Sequence, residues 1–78
     1  MSDAKPVLHH FYVDNKEYST NKNHLSGLEI KNIAGVPGNY QLFLEEEGNK
    51  PDRAISDGDT VPIGHKEHFF AVPPATFG

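Results

Sequence analysis

Residues 25–35, LSGLEIKNIAG, decide how the rest of the chain is read. Ser26 and Glu29 stand at the spacing of a capping box. The serine oxygen can accept from the Glu29 amide while the Glu29 carboxylate reaches back to the Ser26 amide. Leu25 and Ile30 flank the box at the positions of a hydrophobic staple. Gly35 falls where a left-handed C-terminal cap is wanted, and Pro37 forbids continuation. The stretch predicts a helix of about two to three turns, with Leu28, Ile30, Ile33 and Ala34 as its apolar stripe. A helix this short is not stable alone, so it must lie on something, and the flanking segments offer only a sheet.

Those segments carry strand signals. The run VLHHFYVDNKEYST, residues 7–20, reads as two short strands around a turn. Phe11 and Val13 share one face, while Leu8, His10 and Tyr12 share the other. Asp14 and Asn15 tolerate left-handed backbone angles and suit a tight hairpin, after which Tyr18, Ser19 and Thr20 continue as the second strand. The polar NKNH that follows breaks the pattern. After the helix, NYQLFL reads as a third strand, with Tyr40, Leu42 and Leu44 facing one way and Gln41 and Phe43 the other. EEEGNKPDRA is a charged, turn-rich loop ending at Ile55. Asp57-Gly58-Asp59 makes a tight turn, Val61 and Ile63 alternate inward, and Pro62 marks a short or edge strand. EHFFAV is the last strand, and Pro73-Pro74 ends its pairing. The order predicts an α+β fold, a small mixed sheet with one helix packed on one face.

Composition bounds the function. At 78 residues the chain is one small domain, with room for one modest core and little for a deep cleft. It has 0 cysteines, so no disulfide framework and no thiolate chemistry. That absence leads us to expect a reducing, cytoplasmic setting, and no signal peptide or membrane span is expected either. The formal net charge of −4 and the scatter of the seven basic residues argue against a nucleic-acid partner.

Catalytic and metal chemistry find little support. Of the five histidines, His9 and His10 are adjacent in a strand and point to opposite faces. His24, His65 and His68 lie elsewhere, and zinc wants three or four ligands. Ser26 is explained as a helix cap rather than a nucleophile. No glycine-rich phosphate loop is present. We expect no enzyme, no metal and no bound cofactor.

The motifs together resemble a known family. The order of elements and the Asp57-Gly58-Asp59-Thr60-Val61 turn look like the β-grasp fold of ubiquitin and the sulfur carriers. The run IKNIAGVPGNYQLFL, residues 30–44, is similar to the passage in ubiquitin from helix through a Gly-hydrophobic-Pro turn into the third strand. FYVDNKEY, GLEIKNIAG, ISDGDTVPI and FFAVPP resemble the multiubiquitin-type domains of bacterial ubiquitin-like conjugation operons, over residues 8–74. The resemblance implies a flexible segment at 1–6, a ubiquitin-like domain at 7–72 and an extended conjugation tail at 73–78. It also implies a protein modifier activated at the Gly78 carboxylate. An E1-like adenylating enzyme would use ATP, an E2-like enzyme would carry out transfer, and a processing peptidase could expose the terminus. The product would be an amide or ester link to a protein target.

The tail suits that role. Gly78 has no Cβ to crowd the reacting carbon, and Pro73 and Pro74 stiffen the base. In extended geometry, Pro73 to Gly78 reaches roughly 19 Å. Ala75 and Thr76 keep the stalk slim. Phe77 departs from the Gly-Gly ending of familiar carriers and reads as an aromatic anchor for a matching enzyme. Tyr12 and Phe43, joined by one of Phe69 and Phe70 (here assigned as Phe69), are expected to form an exposed aromatic patch on the sheet face away from the helix, a partner surface or a homo-oligomer interface. Two other readings stand beside the modifier: a sulfur carrier of the same fold, and a non-covalent binding module whose tail is inert.

Overall fold

The computed structural model describes residues 7–75. The expectations for residues 1–6 and for Thr76, Phe77 and Gly78 lie outside the described residues. Among the described residues, seven strands and one helix follow in the order β1 (His9–Val13), β2 (Lys16–Thr20), β3 (His24–Ser26), α1 (Gly27–Ala34), β4 (Gln41–Leu44), β5 (Arg53–Ile55), β6 (Thr60–Pro62) and β7 (Glu67–Val72). The main sheet has the order β2-β1-β7-β4-β5, and β3 pairs with β6 in a second, two-stranded sheet. β1 and β7 run parallel at the centre, and the other pairs are antiparallel. This is a small α+β fold of the β-grasp kind.

The hairpin forms where the sequence places it. Asp14 and Asn15 have φ of 52° and 68°, the paired left-handed angles that a two-residue hairpin turn requires. β3 and β5 are additions to the predicted order. β5 converts the end of the expected loop into an edge strand paired to β4.

The helix is built at both ends by local chemistry. Ser26 Oγ accepts from the Glu29 amide at 3.1 Å, and the Ser26 amide donates to Glu29 Oε1 at 2.9 Å. Gly35 closes the helix with φ 70°, and the Val36 amide donates to the Lys31 carbonyl at 2.9 Å. The predicted stripe, however, has the wrong phase. Leu28 and Ile33 are 43% and 39% exposed, and the buried positions are Gly27, Ile30 and Lys31. The reason is the close approach of the first turn to the loop after β5. A Cβ on Gly27 would stand 2.2 Å from the Ser56 carbonyl oxygen. With Gly27 pressed against that loop, positions 30, 31 and 34 follow on the inner side and 28 and 33 fall on the flanks.

The Asp57-Gly58-Asp59 turn completes the brace. Its backbone carbonyls accept from the helix's first free amides, Gly27 to Asp59 at 2.9 Å and Leu28 to Asp57 at 3.1 Å. Asp59 Oδ2 accepts from the Ser56 amide at 2.9 Å. Buried Lys31 donates to Asp57 Oδ1 at 2.8 Å and to the Gly38 carbonyl at 3.1 Å, so its charge is paired rather than stranded. The core lies between helix and sheet: Phe11, Val13, Leu25, Ile30, Leu42, Ile55, Val61, Ile63 and Phe69.

Candidate functional site: the outer sheet face and the tail base

On β7 the side chains alternate, and the alternation assigns the two phenylalanines. Phe69 is 1% exposed and stands edge-on to Phe11 in the core, centroids 6.1 Å apart at 87°. Phe69 therefore does not belong to the outer patch, contrary to the expectation from the sequence. Phe70 takes that place. It stacks on Phe43 at 5.2 Å and 15°, as the register pairs them directly across β4 and β7. Both are aromatic, so sequence alone does not tell which one faces in. The signal that fixes the phase is the parallel pairing of Val13 with Phe69, which puts a β1 core residue beside it.

Tyr12 lies on the outer face as expected. Its ring stacks on His68 at 4.5 Å and 11°, and its hydroxyl approaches Glu17 Oε2 at 3.5 Å. His10 Nδ1 stands 3.4 Å from the same oxygen without forming a hydrogen bond to it. Val72, 41% exposed, sits one outward position beyond Phe70, opposite Gln41. The face thus presents two stacked ring pairs, Tyr12–His68 and Phe43–Phe70, with an apolar residue leading toward the tail. His68 and Val72 are members of this surface that the sequence reading did not include.

The tail base begins where that row ends. Val72 makes the last antiparallel pair with β4, and Pro73 and Pro74 then remove the donor on successive, oppositely directed positions. Neither proline can donate to a neighbouring strand. Pro73, Pro74 and Ala75 are all exposed. The strand that carries them is the middle one of five.

At the other end of β7 lies an open groove of about 460 Å³, lined by Glu45, Glu46, Lys50, His65, Lys66 and His68 among others. Its charges are mixed, and the Glu67 carboxylate beside it accepts from the Gly64 and His65 amides at 3.1 and 3.2 Å. Among the described residues, no group of three or more His, Cys, Asp or Glu side chains is placed to hold a metal ion. Among the same residues, no helix is long and apolar enough to cross a membrane. The Glu29 carboxylate is perturbed by its neighbours. The Lys22 ammonium, followed by the Ser26 amide, holds its carboxyl below the ordinary range, and this belongs to the helix cap.

No curated protein and no solved structure matches the chain beyond chance similarity. The sequence model of the Multiubiquitin family matches residues 10–74. That span holds every strand but the first residue of β1, together with the helix, the aromatic face and both prolines of the tail base. The chain belongs to the multiubiquitin family, a ubiquitin-like family.

Proposed function

We propose that the protein is a ubiquitin-like modifier whose chemical group is the carboxylate of Gly78. Its folded body is a recognition handle. One observation carries the reading: the central strand passes the chain to solvent at Pro73, Pro74 and Ala75, all exposed, after pairing has ended on both of its edges. A carboxylate on such a stalk can enter a narrow enzyme channel while the domain stays folded. Adenylation would join the carboxylate to AMP from ATP and release pyrophosphate. A cysteine thiolate would then displace AMP to give a thioester, and an acceptor amine or hydroxyl would displace the thiol.

The partners follow from those steps: an E1-like adenylating enzyme, an E2-like transfer enzyme, a peptidase if Gly78 must first be exposed, and a protein acceptor. A bacterial, cytoplasmic setting, without membrane or nucleic acid, fits the acidic, cysteine-free composition. The Phe43–Phe70 and Tyr12–His68 face supplies a recognition surface that travels with the tail. Phe77 would enter a pocket of the matching enzyme and exclude carriers ending in Gly-Gly.

The test is intact-mass analysis of the full chain, wild type and Gly78-deleted, expressed in its own cells. Covalent higher-mass species that vanish with the deletion support the reading. A gain equal to one sulfur-for-oxygen exchange at the C-terminus would instead select the sulfur carrier. Spectra that show only the free chain in both samples, differing by the mass of one glycine residue, would leave the non-covalent module.

A further inference from the structure

We infer that Asp14 holds the β1 edge of β7 at Ala71 and so steadies the base of the stalk that an activating enzyme receives; this rests on the modifier reading above. β1 ends at Val13, which pairs with Phe69, yet β7 continues to Val72. On a strand, the N–H and C=O of one residue share an edge, and those of successive residues point to opposite edges. The Phe69 carbonyl accepts from the Asp14 amide at 3.0 Å, so the β1 edge of β7 carries the main-chain groups of residues 69, 71 and 73. Past Asp14 the main chain turns away, with φ of 52° there and 68° at Asn15. The Ala71 amide thus faces an edge where β1 has already ended.

Asp14 Oδ1 accepts that amide at 3.2 Å, across 57 residues of sequence. A side-chain oxygen stands in for the missing β1 carbonyl and extends the ladder by one rung. Pro73, next on the same edge, has no amide to satisfy, so the ladder can stop there. One residue therefore does two jobs. Its left-handed backbone makes the hairpin, and its carboxylate clamps the last inner position of β7. Asp14 is a positioning residue: it touches no reacting atom and acts through Ala71.

Two substitutions separate the two jobs. Asp14→Gly keeps the left-handed turn and deletes the acceptor, while Asp14→Asn keeps both. The first readout is amide hydrogen exchange at Ala71 in the full chain, corrected for any change in global stability. Exchange should quicken at least about fivefold in Asp14→Gly and stay within about twofold of wild type in Asp14→Asn. Equal protection in all three chains overturns the clamp.

The second readout is ATP-dependent adduct formation in extract of the cells that express the protein. The half-saturating concentration of Asp14→Gly should rise about threefold or more, with its maximal rate retained, and Asp14→Asn should behave as wild type. A loosened Ala71 with an unchanged half-saturating concentration overturns the link to the stalk base alone. No adduct from the wild-type chain overturns the modifier reading, and the wild-type sample by itself distinguishes that case.

Discussion

Under the helix, the sheet holds Phe11, Val13, Leu42, Ile55 and Phe69, each at or below 2% exposure, whereas its other face leaves Tyr12, Phe43 and Phe70 half-buried and Val72 41% exposed. Both faces are aromatic, but they satisfy different demands. Inside, Phe11 meets Phe69 edge-on while Tyr18 stacks on Phe11 at the core margin, with aliphatic side chains from both layers around them. Outside, the rings lie stacked in near-parallel pairs, Tyr12 on His68 and Phe43 on Phe70. A residue's neighbour on the same strand can thus be worth several times as much to folding, and far less to anything that binds.

The largest break in that comparison is Phe69→Ala against Phe70→Ala. Removing Phe69 empties the centre of a small core and should cost about 3–5 kcal/mol in denaturant unfolding. Removing Phe70 deletes one stacked ring from a solvent-facing pair and should cost about 1 kcal/mol. Comparable costs for the two would mean that the faces are not distinct. Next comes Gly27→Ala. The added methyl meets the Ser56 carbonyl oxygen at 2.2 Å and forces the helix off its brace, for about 2–3 kcal/mol. A neutral Gly27→Ala would show that the loop can retreat freely.

Ser26→Ala removes one arm of the capping box and should cost about 1 kcal/mol. The smallest effect is tied to pH. The Lys22 ammonium and the Ser26 amide hold the folded-state Glu29 carboxyl below its ordinary range by stabilising the charged form. That contribution is complete above the unfolded value and fades as pH falls through the lowered folded one. Unfolding free energy measured from pH 6 down to about 2 should therefore fall less steeply in Glu29→Gln than in wild type. Parallel curves would remove Glu29 from the cap.

What could be read in advance divides along similar lines. The capping box, the left-handed glycine end and the Asp14-Asn15 turn are local: each is decided by residues within a few positions, and each forms as the sequence implies. β3 and β5 are three residues apiece and carry His24, Ser26 and Arg53, with no alternation long enough to register. They exist because Val61 and Leu42 offer partners from distant sequence. Leu28 and Ile33 look like core on a helical wheel. The wheel carries no information about a loop that crowds Gly27 and turns the stripe outward.

The site was partly legible for the same reason. Tyr12 and Phe43 lie on strands whose alternation is plain, whereas FF has no phase of its own until β1 pairs beside it. The clamp from Asp14 to Ala71 joins residues 57 apart and has no local signature at all.

The account divides the chain into a body that folds and a tail that reacts, and ending the chain after Val72 tests that division most directly. The truncated and full-length proteins would be compared by thermal melting and by incubation with ATP in extract of the cells that express the protein. The account predicts midpoints within about 2 °C, because every core residue precedes the cut, together with complete loss of ATP-dependent covalent adduct. Adduct persisting in the truncated chain, or a midpoint lower by 10 °C or more, would contradict it.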